Sequence, residues 1–269
     1  IRPAMEQDRG GRESAVETRA GHVALVGRPN VGKSTLLNAF LGEKLSIVTP
    51  RAQTTREQVL GILTTDTAQA VFVDTPGLLT AGYLLQSALH ASALAAVAVA
   101  DVVLVVLDAM RPDERPAPGI GLEALQARRD VLFVAVNKVD AGEAGVIREL
   151  AAWARAELGR EAFRVSAVTG EGVGELREAL LRALPVSPFL YPPDDLAVQP
   201  VRFFVEELIR ETIFEEYEEE VPYSTVVRIE EFREERDPIY IRATIYTERE
   251  SQKAIVIGRG GAAIRELGR

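Results

Sequence analysis

One stretch of the sequence decides the fold: Gly27-Arg28-Pro29-Asn30-Val31-Gly32-Lys33-Ser34. It has the G-x-x-x-x-G-K-S/T spacing of a phosphate-binding loop. An apolar, strand-like run at residues 22–26 precedes it, and a helix-like run at residues 34–41 follows it. Glycines let the backbone approach phosphate oxygens, while N–H groups of the loop and the helix start present positive partial charge to an anion. We therefore expect Lys33 to contact the β- and γ-phosphates of a nucleotide and Ser34 to bind Mg²⁺.

Apolar runs alternate with helical patterns along residues 21–184. Strands are predicted at residues 23–26, 59–64, 70–73, 102–107, 131–136 and 163–166, and helices at 33–41, 84–98, 122–128, 143–158 and 172–184. The run at 102–107 is continuously apolar, which is typical of a parallel strand covered on both faces. Such alternation predicts a doubly wound α/β sheet, in which ligands bind at the carboxyl ends of the strands.

Two further segments fit a triphosphate and its metal ion. In Asp74-Thr75-Pro76-Gly77, which ends a predicted strand, Asp74 would hold Mg²⁺ through water and the Gly77 N–H would reach a γ-phosphate. A strand-to-loop turn with an Asx cap is the alternative. Between the first helix and the second strand, we expect Thr55 to close over Mg²⁺ and the γ-phosphate. Thr54 is the close alternative, and a solvated Thr-rich loop is the purely structural one.

The segment Asn137-Lys138-Val139-Asp140 follows the buried strand at 131–136 and points to guanine. A carboxylate there accepts N1–H and N2–H₂ of guanine, whereas adenine would face it with a lone pair. Asn137 would bridge to the phosphate loop and the stem of Lys138 would cover the base. A polar helix cap after a strand is the alternative. In Ser166-Ala167-Val168, after the last strand, a backbone N–H would meet guanine O6.

The order of the segments 27–34, 74–77, 137–140 and 166–168 resembles that of the P-loop GTPases. Residue Leu78 departs from the Ras-like pattern, in which a glutamine orients the attacking water. We therefore expect slow intrinsic hydrolysis that a partner accelerates. The predicted catalytic residues are Lys33, Thr55 and Gly77, and the metal ligands are Ser34, Thr55 and Asp74. The predicted nucleotide contacts are Gly27, Arg28, Pro29, Asn30, Val31, Gly32, Lys33, Ser34, Thr35, Asp74, Thr75, Pro76, Gly77, Leu78, Asn137, Lys138, Asp140, Ser166, Ala167 and Val168.

The chain changes character at residues 185–200, where five prolines indicate an interdomain linker. Beyond it we predict a helix at 201–217, a hairpin at 223–232 and 239–247, a helix at 251–257, and a last helix that begins at Ala262 and continues to Arg269. The turn between these last two helices, Gly258-Arg259-Gly260-Gly261, resembles the G-x-x-G loop of a KH domain, which clamps about four nucleotides of single-stranded RNA. A helix-turn-helix corner is the alternative. The predicted RNA contacts are Lys253, Ile257, Gly258, Arg259, Gly260, Gly261 and Arg265.

Charge and composition restrict which partners, metal sites and membrane segments are expected. The net charge of −9 and the pI of about 5.0 argue against nucleic acid as a partner, but the charge is uneven. Residues 258–269 carry three Arg and one Glu, whereas 206–220 carry eight Glu and one Arg. Cysteine is absent, so there is no disulfide or thiolate metal site. We interpret residues 1–20 as a disordered leader, and 91–107 as a helix and a strand separated by Asp101 rather than a membrane span.

A GTPase domain at residues 21–184, followed by the linker at 185–200 and a KH domain at 201–269, resembles the Era family of bacterial GTPases. The match is close at residues 27–38, 53–56, 184–185, 222–224 and 250–253, and it covers about 21–269. The resemblance implies a doubly wound P-loop GTPase domain joined to a smaller α+β KH domain of the type II-like order. Family members continue further to complete the KH fold, so we interpret the C-terminal end as incomplete.

The resemblance also implies activity and partners. It implies GTP or GDP with Mg²⁺ as cofactors, and a role in small ribosomal subunit assembly. The KH domain would hold the 3′ end of 16S ribosomal RNA on the 30S subunit. A cytoplasmic protein, with some peripheral association with the inner face of the cell membrane, is implied too. We expect a monomer.

Two alternatives stay open at the level of sequence. In the first, the C-terminal domain of a regulatory GTPase binds protein and makes no RNA contact, which the net charge of −9 favours. In the second, the chain is an ATPase or a nucleotide kinase, which requires the segment 137–140 to be accidental.

Overall fold

The computed structural model describes residues 17–49, 58–78, 84–118 and 121–268. The first domain runs from β1 (Arg19–Val26) through α1 (Lys33–Leu41), β2 (Val59–Thr64), β3 (Ala68–Asp74), α2 (Leu84–Val99), β4 (Val102–Asp108), α3 (Leu122–Ala127), β5 (Leu132–Asn137), α4 (Ala144–Trp153), β6 (Ala162–Arg164) and α5 (Val173–Ala183). The strand order is β2-β3-β1-β4-β5-β6. Only the β2–β3 pair among these is antiparallel, because a short turn joins the two strands. The predicted fold class is confirmed.

Two apolar layers cover the sheet. Side chains of α2, α3 and α4 pack on one face, and those of α1 and α5 pack on the other. The four central strands β1, β3, β4 and β5 are therefore buried on both faces, as their apolar runs predict. This double cover leaves the carboxyl ends of the strands as the accessible edge.

Most predicted elements differ from the observed ones by one or two residues at their ends. The helix predicted at 143–158 is an α-helix only to Trp153, and a π-helical turn at Ala154–Leu158 completes it. The apolar stretch 91–107 contains the end of α2 and most of β4, as predicted. Asp101 between them accepts a hydrogen bond from the His22 N–H at 2.8 Å. No helix in the described ranges is both long and apolar enough to cross a membrane.

The second domain is smaller. It comprises α6 (Val201–Glu216), β7 (Thr225–Arg233), β8 (Tyr240–Thr247), α7 (Glu250–Ile257) and α8 (Ala262–Leu267). The antiparallel β7–β8 pair packs with α6, α7 and α8 around a core of Ile213, Tyr217, Val221, Val227 and Val256. The prediction that the last helix continues to Arg269 is wrong, because α8 ends at Leu267. Arg269 lies outside the described residues.

The linker follows the open edge of β2. The Ile62 N–H donates to Leu196 O at 2.9 Å, and the Val198 N–H donates to Leu60 O at 3.3 Å. The buried side chain of Gln69 holds the other end of the linker: its amide donates to Tyr191 O at 2.9 Å, and its oxygen accepts the N–H groups of Leu190 and Tyr191. The linker therefore pairs with the backbone of the first domain and covers an edge strand that would otherwise be open.

Candidate functional site

The phosphate-binding loop lies at the carboxyl end of β1, where its geometry requires glycine. Gly32 has a φ of 94°, and a Cβ there would collide with the side-chain amide of Asn137. Gly77 faces the same loop, and its Cβ would lie 2.6 Å from Pro29 N. The two segments thus approach each other more closely than any larger residue would permit.

Lys33 is buried at the base of this loop. Its ammonium donates to Arg28 O at 3.1 Å and to Gly27 O at 3.4 Å. Burial lowers the pKa of Lys33 to about 8, although the nearby Asp74 carboxylate opposes this effect. A buried cation that is held by loop carbonyls is ready to bind an anion, and this placement suits the predicted contact with phosphate oxygens.

The predicted metal residues meet beside Lys33. Ser34 Oγ donates to Asp74 Oδ2 at 2.6 Å, whereas the buried Asp74 Oδ1 has no hydrogen-bond partner among the described residues. Burial raises the pKa of Asp74, and Lys33, Ser34 and Ser46 oppose that rise. A buried carboxylate oxygen without a partner, next to a hydroxyl, suits a hard cation such as Mg²⁺. The predicted third ligand, Thr55, and its alternative Thr54 lie outside the described residues.

The side chains near Ser34 and Asp74 do not form a complete metal-binding cluster without a nucleotide. Within the described ranges, no group of three or more His, Cys, Asp or Glu side chains could hold a metal ion. Mg²⁺ keeps several waters and binds through one or two carboxylates together with substrate phosphates. The pair Ser34 and Asp74 therefore fits a magnesium ion that arrives with a nucleotide.

The segment after β5 closes the other side of the loop. The buried Asn137 donates through Nδ2 to Val31 O at 2.8 Å and accepts the Ala167 N–H at 3.0 Å. Together with Lys138, Asp140, Ala167 and other residues, it lines a cavity of about 130 Å³. The remaining lining residues are Gly32, Thr35, Ala141 and Val168. The structure thus brings together all of the residues that we predict to bind guanine except Ser166, which does not line this cavity, and these assignments stay predictions.

Asp108, at the end of β4, belongs to this site although its sequence context does not predict it. Its buried carboxylate pairs with Lys138 Nζ at 2.6 Å, and the same ammonium donates to Asn30 O at 2.6 Å. Lys138 has a φ of 64°, which a residue with a side chain rarely adopts. Asp108 therefore fixes the lysine stem beside the cavity. A lone Asp after a continuous apolar strand was the available signal.

Thr75 and Leu78, two of the predicted nucleotide contacts, instead form hydrogen bonds to backbone carbonyl groups of neighbouring segments. Thr75 Oγ1 donates to Leu25 O at 2.7 Å, and the Leu78 N–H donates to Gly27 O at 2.8 Å. The Leu78 side chain is fully buried beside Gly121. At the position where Ras-like proteins carry the water-orienting glutamine, this chain therefore has a core side chain.

The predicted RNA-binding residues surround the turn between α7 and α8. Gly258, Gly260 and Gly261 have φ values of 69°, 61° and 75°, which favour glycine. A Cβ at Gly258 would lie 2.7 Å from the Cβ of Ala263, so this glycine also lets the helices approach. Arg265 donates to Gly260 O at 3.1 Å, and Lys253 pairs with Glu250 at 3.1 Å. Arg259 and Ile257 are both exposed.

The fold and the two sites define the class: a P-loop GTPase domain joined to a KH domain. Residues 22–138 match the family model of the 50S ribosome-binding GTPases, and residues 220–269 match that of the KH domain. GTPase Era of Afipia carboxidovorans is 41% identical over 95% of this chain and 83% of its own length. GTPase Era of Nitratidesulfovibrio vulgaris is 44% identical over 94% and 85%. The chain belongs to the Era family of GTPases.

Solved Era structures have the same architecture. A variant of Aquifex aeolicus Era bound to GDP and AlF₄⁻ has a TM-score of 0.84 and 34% identity, over 93% of this chain and 86% of its own. An Era complex with MgGDPNP and nucleotides 1506–1542 of 16S ribosomal RNA has a TM-score of 0.85 and 34% identity, with the same coverage. The predicted family is confirmed.

The guanine assignment leads to a test at Asp140. The change Asp140→Asn replaces one carboxylate acceptor with an amide donor, so we expect affinity for GDP to fall by about 1–3 kcal/mol, or roughly 5–150-fold. Affinity for xanthosine diphosphate should rise, because its C2 carbonyl accepts the new amide N–H. Equilibrium titration with fluorescent analogues of both nucleotides measures the exchange of specificity.

The matched control is Asp130→Asn, an exposed position just before β5, at the opposite end of the strand from Asp140. It should leave both affinities unchanged. If the Asp140→Asn protein and the unchanged protein bound GDP with equal affinity, the assignment of Asp140 to the base-binding site would be wrong.

Proposed function

We propose that this protein is a GTP-binding and GTP-hydrolysing switch that binds single-stranded 16S ribosomal RNA and assists assembly of the small ribosomal subunit. The observation that carries the proposal is the presence, in one chain, of a guanine-type pocket beside a phosphate-binding loop and of a G-x-x-G turn between two helices. The Era complex with MgGDPNP and 16S ribosomal RNA supports it.

The residues of the first domain have separable tasks in this proposal. The loop around Lys33 binds the phosphates, and Asn137 and Asp140 read the base. Ser34 and Asp74 would hold Mg²⁺, which when bound neutralises charge on the β- and γ-phosphates. Lys33 would stabilise the negative charge that develops during hydrolysis, and the Gly77 N–H would hold the γ-phosphate. Thr55 would complete this set.

The buried side chain of Leu78 sets an expectation for the rate of hydrolysis. Leucine cannot hydrogen-bond water, and here it packs into the core, so the protein alone lacks a group at this position to orient the attacking water. We expect single-turnover hydrolysis on the order of 10⁻³ s⁻¹ or slower, as for GTPases without their activating partner. Rapid mixing with excess protein and radiolabelled GTP measures this rate.

A Lys33→Ala protein, purified in parallel, serves as the background control for contaminating nucleotidases. Hydrolysis at rates of about 1 s⁻¹ or more by the unchanged protein alone, absent from this control, would contradict the need for a partner.

The RNA contact is tested at the G-x-x-G turn. We expect the double change Arg259→Asp and Gly260→Asp to abolish binding of a single-stranded RNA with the 3′-terminal sequence of 16S ribosomal RNA, because it adds negative charge where the phosphates would lie. A Cβ at Gly260 meets no atom within 4 Å, and Asp tolerates a positive φ, so the fold should survive. Fluorescence anisotropy measures the binding and circular dichroism checks the fold.

The control is Arg236→Asp, which reverses a charge in the connection between β7 and β8, away from the turn. It should bind RNA like the unchanged protein. Full RNA binding by the double variant would instead favour a regulatory GTPase whose C-terminal domain binds protein.

Nucleotide and RNA binding are coupled in this proposal, and Glu211 of α6 is placed to couple them. Its buried carboxylate pairs with Lys44 at 2.7 Å and accepts the Val48 N–H at 3.1 Å. Residues 44–48 lead directly to the segment that contains Thr55. A change in that segment on GTP binding would therefore be felt at the first helix of the KH domain.

We expect RNA affinity to differ between the GDPNP- and GDP-bound protein by about 5–150-fold, the usual range for coupled sites. Glu211→Gln should bring this ratio towards one, because an amide N–H would face the Lys44 ammonium. Anisotropy titrations with each nucleotide measure the ratio. Glu215→Gln, one turn further along α6 and exposed, is the matched control and should keep the ratio.

Equal RNA affinities in both nucleotide states of the unchanged protein would contradict the coupling. An unchanged ratio in the Glu211→Gln protein would exclude this contact from the route.

The remaining assignments extend this proposal. We infer that the protein acts on the 30S subunit, as a monomer, in the cytoplasm and with peripheral association with the inner face of the cell membrane. The ATPase or kinase alternative predicts that ATP competes for the site, whereas the cavity beside Asp140 supports selection of guanine.

A further inference from the structure

Tyr217, at the C-terminal end of α6, places its hydroxyl inside the core of the second domain. The residue is 7% exposed, and its hydroxyl donates to Val256 O at 2.9 Å in a buried hydrogen bond. The two residues are 39 positions apart in the chain, and both belong to one apolar cluster. Burial raises the pKa of Tyr217, so the hydroxyl keeps the proton that it donates near neutral pH. Apolar packing requires only the ring, whereas the hydroxyl makes a directed contact with α7.

Val256 lies in the last turn of α7, directly before the G-x-x-G turn. The last four carbonyl groups of a helix have no partner within that helix. In α7, the Gly258 N–H donates back to Ala254 O at 3.0 Å, and the Tyr217 hydroxyl binds Val256 O. The hydroxyl of Tyr217 therefore holds the helix end from which the turn starts.

The placement of the turn depends on this helix end. Gly258, Gly260 and Gly261 all have positive φ values, and glycine backbones adopt many conformations. Within the turn, the Gly261 N–H donates to Gly258 O at 3.1 Å, and Arg265 donates to Gly260 O at 3.1 Å. These local bonds give the turn its shape, whereas the bond from Tyr217 joins the preceding helix end to α6.

We propose that Tyr217 is a positioning residue for RNA binding, whose hydroxyl fixes the end of α7 and thereby presents the G-x-x-G turn to the RNA backbone. The proposal rests on the proposed binding of single-stranded RNA at this turn. A G-x-x-G turn clamps the nucleotide backbone at close range, so a shift of the helix end would misalign it. A turn that is correctly placed for only a fraction of the time binds RNA with an affinity reduced by that fraction.

The test is Tyr217→Phe in the full chain, which keeps the ring and removes the hydroxyl. We expect affinity for a single-stranded RNA with the 3′-terminal sequence of 16S ribosomal RNA to fall by about 2–12-fold, the range that corresponds to one hydrogen bond. Affinity for a fluorescent GDP analogue should stay unchanged, because the nucleotide site lies in the first domain. Fluorescence anisotropy measures both affinities.

A spectroscopic measurement separates positioning from a general loss of stability. In NMR spectra of the RNA-free protein, Tyr217→Phe should shift the amide signals of Gly260 and Gly261, which lie beyond the bonded helix end. The matched control is Tyr246→Phe, which removes an exposed hydroxyl of β8 that lies 3.5 Å from Glu230 Oε1. It should keep the RNA affinity of the unchanged protein.

The possible outcomes are distinguishable. Unchanged RNA affinity in the Tyr217→Phe protein would overturn the proposal. A lower RNA affinity with unshifted signals of Gly260 and Gly261, or with loss of folded protein by circular dichroism, would overturn it too, because either would mark a purely structural role. If the unchanged protein binds no RNA, the proposed function fails instead.

Discussion

The structure depends on the burial of two opposite charges at the carboxyl edge of one sheet. Lys33 and Asp74 are both buried. Burial lowers the pKa of Lys33 and raises that of Asp74, so it favours the neutral form of each. Their mutual attraction offsets only part of the desolvation. We therefore expect ligands to complete the site: phosphate oxygens for the lysine, and a cation for the carboxylate oxygen of Asp74 that has no partner among the described residues. An apolar sheet that is packed on both faces supports the loops that carry these two charges.

The loops around these charges hold one another in place. Asn137 and Lys138 both donate to carbonyls of the phosphate-binding loop, at Val31 and Asn30. The residues that would read the base are thus bonded to those that would bind the phosphates. Asp108 adds the end of β4 to this network through Lys138. Because each contact joins the ends of different strands, a ligand here stabilises the sheet edge as a unit.

The spacing and periodicity of residues predict most helices and strands and the phosphate-binding loop, because these features depend on residues that are close together in the chain. The sequence could not show pairs that the fold alone brings together. Asp108, for example, meets Lys138, which lies 30 residues further along the chain. The sequence shows that Leu78 departs from the Ras-like pattern. Its burial beside Gly121 depends on how the helices pack, which the sequence pattern does not show. The prolines at 185–200 predicted a linker, whereas its pairing with β2 depends on an edge strand left open by the sheet order.

The linker and α6 contact the first domain at residues on either side of the segment 50–57. Before that segment, Glu211 binds Lys44 and the Val48 N–H. After it, Gln199 donates to Gln58 O at 2.8 Å and accepts the Leu60 N–H at 3.2 Å. A movement of residues 44–48 or 58–60 would therefore break these contacts or carry the linker and α6 with it. Under the proposed coupling, these contacts are the route by which a change at the nucleotide site would reach α6.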